Sequence, residues 1–519
     1  MKNNDGSLLQ IGGKSMNYLY YDKSLEYPCE SNQAFHPDTA YPEYPHGNSA
    51  VSETPNKVYE AIRSMLYEMG LDAERYGTKD WNPLGKWIRP GQKVLLKPNF
   101  VNHKNESAQP DDLDSLVTHP SIIRCLLDYC YIALRGEGNV IVGDAPVKDC
   151  DFDLLMTRGR YIQVERFFRS VSDKFCVNFY DFRGPEEEGG QYNDTGHGVV
   201  VNLGKKSWFY QCGYDEEKYR VPNYDYRLVV RHHKGEVQEY MVNSAVLDAD
   251  VVISIPKPKT HRKNGYTAAL KNFVGINYSK EYLPHHTEGA VSDGGDEYIR
   301  AEILPFLSAR VRRYIDINRV TTDGRNAHKN TLSLRVSRRF RSLMWRTYWF
   351  LYRMDQKWST YRGLTLDAKA REGTWHGNDT LWRTVLDLNY VLRYARADGK
   401  VMDQPQRTIL HLGDMVISGE KEGPMSPSPK EQHMMLFSDD AVEFDCIVAK
   451  VMGFDYNKLA ILNHAVGFKP LTKLSYNDIE VQSNDEQCAG SLRNICFEAC
   501  SRPFIATEGW RGHIELKSP

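Results

Sequence analysis

The chain has 519 residues and a mass of 59.7 kDa, with 41% hydrophobic and 26% charged residues. At roughly 150 residues per domain this is about three or four domains' worth of chain, and the apolar fraction can bury a large core, which excludes a disordered chain. Gly and Pro are near average and no heptad runs on, which excludes collagen-like and coiled-coil architectures; the net charge of −2 excludes a globally basic nucleic-acid binder.

Residues 1–56 are rich in Tyr, Pro, Asn and Glu without a sustained period, and read as an irregular N-terminal extension. Residues 57–280 read as an α/β half. A helix is predicted over 56–70, with Val58, Ile62, Met65 and Met69 at helical spacing and Gly70 closing it. VLLKPNF (94–100) reads as a buried strand, and Pro120 opens a helix capped by Thr118 or His119. NVIVGDAP (139–146) is a second strand, so strand, helix and strand follow one another with short links, the signature of a parallel sheet. KFCVNFY, GVVVNL and YRLVV, within about 175–242, predict an antiparallel β add-on. ADVVISIPKPKTH (249–261) repeats the strand pattern before a helix around TAALKNFVGI (267–276).

Residues 281–372 read as a basic, aromatic helical insertion. Arg300 to Arg371 holds 17 Lys/Arg against 5 Asp/Glu, about +12, so the remainder carries about −14. Residues 373–470 read as a second α/β half, with a strand over 408–419 and a helix over 439–454 that Asp439 or Asp440 opens. Residues 471–519 form a C-terminal extension. The fold class is therefore α/β: a mostly parallel sheet with flanking helices, an antiparallel β add-on and a basic helical insertion. No internal repeat is visible.

No two of the ten cysteines form a C-x-x-C pair, and Cys488, Cys496 and Cys500 lack ferredoxin spacing, so no iron–sulfur cluster is expected. The first residues carry no apolar run of signal-peptide length, and MWRTYWFLYRM (344–354) is too short and too charged to span a bilayer. A cytoplasmic protein with reduced thiols is expected.

Polar residues collect where the strands end, which is where open α/β sheets bind ligands. The exits carry Lys97 and Asn99, then Asp144, then Lys257, Lys259 and His261, with Lys271 and Asp414 further on. Lysines of this kind hold a carboxylate or phosphate, while Asp144, His261 and Asp414 serve as proton carriers or divalent-metal ligands. A P-loop, a dinucleotide fingerprint, H-E-x-x-H and G-x-S-x-G are all absent. His232-His233 and His285-His286 are weak metal candidates, because neighbouring side chains in a strand point to opposite faces. GTWHGNDTLWRTVLDLN (373–389) offers a cap at Asp379 or Thr380 and an apolar stripe of Leu381, Val385, Leu388 and Leu392. Its surplus of His376, Asn378, Asp379 and Arg383 predicts contact with a polar ligand.

VLLKPNFV, THPSIIRCLLDY, VIVGDAP and ADVVISIPKPKTHRKNGYTAALKNFVGI, in this order, resemble the domain-of-unknown-function family numbered 362. GDMVISGEKEGPMSPSPK and DDAVEFDCIVAKVMGFD resemble its C-terminal half, so the resemblance covers about 90–455 with a long insertion. It implies an α/β domain with shared polar residues at Lys97, Asn99, Asp144, Lys257, Lys259, His261, Lys271 and Asn272. Some members carry a four-iron–four-sulfur module whose cysteine pattern this chain lacks. The WHGNDTLWR block is similar to one in longer members, which resemble proteins of surface-glycan assembly.

The Arg/Trp/Tyr/Phe mixture at 335–354 suits an interfacial helix on a membrane or lipid-linked substrate, or a hairpin packed on the acidic remainder; nucleic acid is disfavoured for want of a binding module. The expected function is an enzyme acting on a small anionic or sugar-type substrate, with a divalent metal left open. The alternative is a non-catalytic scaffold of a membrane-associated glycan assembly complex, docked by the insertion. Oligomeric state is left open.

Overall fold

VLLKP, NVIV and VVISI are apolar on consecutive positions rather than alternate ones, the pattern of strands covered on both faces. In the computed structural model, which describes residues 15–32, 34–107, 112–184, 196–319, 332–472 and 479–516, they are central strands of one large sheet. Its main strands are β1 (Asn17–Tyr21), β2 (Val94–Pro98), β3 (Gly138–Asp144), β4 (Phe175–Asp181), β5 (Val251–Ile255), β6 (Thr408–Glu422) and β7 (Ser426–Ser438). Across the sheet they run β1-β7-β6-β5-β2-β3-β4, with Glu480–Ser483 and Gly490–Ser491 beyond β1. Strands β4, β3, β2, β5 and β6 are mutually parallel; β7 returns antiparallel to β6, and β1 is antiparallel to β7.

The helices that cover the sheet start where their caps direct. Asn56 accepts from Tyr59 N–H to open α1 (Lys57–Glu68), and His119 with Pro120 opens α2 (Pro120–Ala133). With α3 (Tyr161–Val171) they pack on the face that bears Leu96, Val140, Val142 and Ile253. The opposite face, with Leu95 and Val252, receives Leu388, Val391 and Leu392 of a later helix, Leu381–Tyr394. There Leu381, Val385, Leu388 and Leu392 are fully buried, as their spacing predicts. Asp440 accepts from Val442 and Glu443 N–H and opens the helix Ala441–Val451.

The chain leaves β2 for β3 and β4, then crosses back past β2 to β5 and β6. The direction of strand addition therefore reverses between β2 and β5, the switch point beyond whose carboxyl ends open α/β sheets form their ligand crevice.

Three segments differ from the sequence reading. KFCVNFY is β4, which extends the parallel sheet instead of belonging to the add-on; its alternating pattern marks an edge strand but does not say which partner it pairs with. YRLVV begins a short helix, Tyr226–His232, because Asp225 accepts from Arg227 N–H and starts a turn. The antiparallel add-on is made of Gly198–Asn202, Val237–Asn243 and His233–Lys234. NYLYY of the N-terminal extension is β1, too short and too Tyr-rich to stand out among loop residues.

The basic insertion is a pair of helices, α4 (Ile303–Arg319) and α5 (Leu332–Tyr361), joined by 320–331, which lie outside the described residues, as do 1–14, 473–478 and 517–519 of the two extensions. Among the described residues, no helix is long and apolar enough to cross a membrane.

Candidate functional site

Two buried ion pairs form the floor of the crevice. Lys97, at the end of β2, donates to Asp144 Oδ1 at the end of β3, at 2.7 Å. Asp144 also accepts from the backbone N–H groups of Phe100 and Ala145. Burial pushes the Asp144 carboxyl up, and the neighbouring Lys97 ammonium opposes it. Lys257, just past β5, meets Asp414 Oδ2 on β6 at 3.0 Å. Tyr27 ties this pair together: Lys257 donates to its hydroxyl at 2.6 Å, and the hydroxyl donates to Asp414 Oδ1 at 2.6 Å. The Tyr27 ring stacks on His119 at 3.9 Å, whose backbone N–H reaches Asp414 at 2.8 Å.

A polar frame connects the pairs. Lys259 donates to Asn99 Oδ1 and to Leu116 O, both at 2.5 Å, and among the described residues has no carboxylate partner. Burial, with Lys257 nearby, pushes its amine well below the ordinary lysine range. Asn99 donates to Asn272 Oδ1 at 3.3 Å, and Asn272 donates to Lys97 O at 2.9 Å and Ser254 Oγ at 3.0 Å. Thr118 donates to Ile255 O at 2.7 Å. The short helix Ala269–Asn272 is held from behind by buried Asp445, which accepts from Ala269 N–H at 2.7 Å and Tyr266 O–H at 2.9 Å. The next turn, Phe273–Ile276, lies so close to the first pair that a Cβ on Gly275 would stand 1.7 Å from Asp144 Oδ1.

In front of this floor the cations make no direct ion pair among the described residues. Lys271, half-buried, has no hydrogen bond or ion pair among the described residues. Among the described residues, Lys263 and Lys280 donate only to backbone carbonyls, of Glu372 and Pro146. His261 and His285 share the same surroundings. Of the nearby acids, Asp144 pairs with Lys97, Asp181 with Arg183, Glu372 with Arg312 at 2.7 Å and Glu297 with Arg313 at 3.4 Å, while Asp296 accepts from Thr287 N–H and Thr380 O–H. Burial and then the Lys280 charge push the Lys271 amine down to about 7. Burial likewise brings Lys263 and Lys280 to about 8. His261 and His285 are pushed down by burial and by these lysines, His285 to about 3, so both are neutral at pH 7. His261 Nδ1 accepts from Lys263 N–H, which leaves its proton on Nε2; His285 Nδ1 donates to Leu283 O, which leaves Nε2 an acceptor.

The model of the family described as "Domain of unknown function (DUF362)" matches residues 94–450, more than two thirds of the chain. The chain belongs to this family. No curated protein matches it. A crystal structure of a Thermotoga maritima protein is similar over 43% of this chain and 39% of that one, at 16% identity and a TM-score of 0.21. Every floor and cleft residue of this DUF362 member except Tyr27 lies within the matched region.

Of the residues singled out in the sequence, Lys97, Asn99, Asp144, Lys257, Lys259, Asn272 and Asp414 come together in the floor, with His261 and Lys271 in front. Lys97, Lys257 and Lys259 are fully buried and committed to protein acceptors; of the four expected anion-holding lysines, only Lys271 presents a free amine. The WHGND block does not join them directly. Asn378 Oδ1 caps the helix by accepting from Thr380 and Leu381 N–H, while its amide donates to His285 O and so positions that histidine's backbone. Asp379 pairs with Arg383 at 2.7 Å and accepts from Trp382 Nε1.

His376 lies with Asp367 and His513, the group able to hold a metal ion among the described residues. The two imidazoles stack at 3.6 Å and 15°, so their lone pairs run side by side rather than converging. His232, which ends its helix, pairs with Glu239, and buried His233, which opens the next strand, lies between Gln238 and Tyr282 O. Sequence reasoning missed Tyr27, Thr118, Lys263, Lys280 and His285 as site residues. Lys263 and Lys280 could have been found from the density of lysines over 257–280.

Proposed function

We propose that this DUF362 protein is an enzyme acting on a small anionic substrate of the sugar-phosphate or sugar-carboxylate class. The observation that carries this reading is the Lys263–Lys271–Lys280 cluster, without a direct ion pair among the described residues and partly open to solvent beyond the strand ends where the sheet reverses. Three neighbouring amines with no direct carboxylate partner are completed by an anion. In this reading Lys263 and Lys280 hold the anion and His261 donates to it through Nε2–H. Lys271, whose amine titrates near 7, carries the proton. Asp144 and Asp414 act from behind by fixing Lys97 and Lys257. A divalent metal would come with the substrate's own oxygens, since the carboxylates around the cluster are already held by cations or by hydroxyl and backbone donors.

We place this chemistry in the cytoplasm, peripheral to a membrane, where surface-glycan assembly would supply sugar phosphates. The second reading, a non-catalytic scaffold, is favoured by the exposed basic hairpin alone. Calorimetric titration with sulfate and with hexose phosphates separates the two. Lys271→Met should weaken binding at least about tenfold, or about 1.4 kcal/mol, while Lys271→Arg keeps the anion and loses turnover. Equal binding by Lys271→Met and the parent protein would remove the basis for the enzyme reading.

A further inference from the structure

The outer surface of α5 carries two parallel rows along its 30 residues. At about 100° per residue, Leu332, Val336, Phe340, Leu343, Phe350, Met354, Trp358 and Tyr361 fall within an arc of about 80°. All are exposed; Leu332 reaches 77%, Phe350 62% and Tyr361 84%. Along one side of this stripe, within about 40° of arc, run Arg339, Arg346, Arg353 and Lys357, all exposed and none ion-paired. The apolar surface continues onto α4, where exposed Tyr314 meets Phe340 edge-on at 5.7 Å.

The carboxylates of the two helices face the other way. Asp316 is buried beside Arg312 at 3.5 Å, and Asp355 is buried between Arg300, at 2.9 Å, and Arg371. Among the described residues the outer face of the pair therefore presents apolar groups and cations with no carboxylate.

We infer that α5 lies in the plane of a membrane interface and docks the protein on anionic phospholipid. Charge selects this occupant. A second copy seated antiparallel on the apolar row would bring two basic rows together, and one seated parallel would set each row beside a flank whose carboxylate, Asp355, is already buried in ion pairs, so neither pairs the cations. A bilayer rich in anionic lipid accepts both rows at once: the Leu/Phe/Trp stripe enters the headgroup boundary and the adjoining cations meet phosphate oxygens. The helix lies on the surface without crossing it, as its hydropathy requires. This deepens the peripheral location inferred for the protein and is independent of the reaction in the cleft.

The test uses the full chain and sedimentation with two kinds of vesicle: phosphatidylcholine alone, and phosphatidylcholine with about one-third phosphatidylglycerol. Binding to the second at least about tenfold stronger than to the first is expected. Reversal of Arg339, Arg346 and Arg353 to Glu should abolish that preference, and Phe350→Asp with Trp358→Asp should abolish binding. Circular dichroism and sulfate titration of the cleft should be unchanged in these exposed-residue variants, which separates loss of docking from loss of fold or of the cleft reading. The inference is overturned by absence of vesicle binding, by equal binding to both kinds of vesicle, or by binding insensitive to both sets of changes. It is equally overturned if RNA binds as tightly as the vesicles do and the Asp variants leave that binding intact.

Discussion

Lys271 shows how far a residue's role can be read from its neighbours in sequence. Its position near a strand exit marked it, together with Lys97, Lys257 and Lys259, and all four lie at the predicted crevice. What the sequence does not show is which amines are already used. Lys257 is satisfied by Tyr27, 230 residues earlier in the chain, and Tyr27 reaches Asp414 across 387 residues. Such pairings depend on where distant segments come to rest, so buried and open lysines look alike in the sequence. The open ones give a pH signature. Lys271 titrates near 7, and Lys263 and Lys280 near 8, so all are charged below pH 7 and neutral well above 8. Because sulfate keeps its charge over this range, its affinity should fall as pH rises from about 6 to about 9, by roughly tenfold or more. His261 and His285, neutral throughout, add no slope. Isothermal titration at several pH values reads this directly, and a flat profile would mean that the amines keep ordinary lysine behaviour.

At the scale of elements, strands and capped helices were legible because their signals are local. Pro120 after His119, Asp440 before VEF and the Leu381 stripe all did what their chemistry dictates. The segment TAALKNFVGI was only partly legible. It reads as one helix, yet it is a short helix followed by a tighter turn. Asn272 spends its side chain on Lys97 O and Ser254, and Gly275 O accepts from Ala145 N–H at 2.8 Å, so the turn is drawn against the strand ends. Gly275 is required there for space. An alanine would place its Cβ 1.7 Å from Asp144 Oδ1 and 2.8 Å from Lys97 Nζ. Gly275→Ala should therefore destabilise the fold by about 2–4 kcal/mol, by overpacking and by forcing apart a buried ion pair. Asp144→Asn, which leaves Lys97 without its counter-charge, should cost about 3–5 kcal/mol. Denaturant midpoints measure both. An unchanged midpoint for Gly275→Ala would show that the turn moves away freely, and the close approach would then have no energetic weight.

For the whole molecule, the opposed charges of insertion and remainder resolve into a hairpin from which Arg312 and Arg319 reach Glu372 and Asp149, while Arg339, Arg346, Arg353 and Lys357 pair with none of the described residues. The linear division into extension, half, insertion and half conceals how the sheet is assembled. β1 comes from the N-terminal extension and sits between β7 and Glu480–Ser483 from the other end of the chain. Leu19, Leu25 and Phe35 of that extension are fully buried, and Tyr18 nearly so. Burying such side chains contributes about 1.5–3 kcal/mol each, so together they rival the roughly 5–15 kcal/mol by which a protein is stable at all. Tyr27 in the same segment also closes the Lys257–Asp414 pair. A chain lacking residues 1–56 should therefore lose cooperative unfolding and sulfate binding together, although the cleft lysines are all present. Adding a peptide that spans 15–56 should restore part of both, because its strand pairs through backbone groups that β7 still offers. Thermal denaturation of the truncated chain with and without the peptide tests this. An unfolding midpoint equal to that of the full chain would make the N-terminal segment an appendage and would detach Tyr27 from any role in the site.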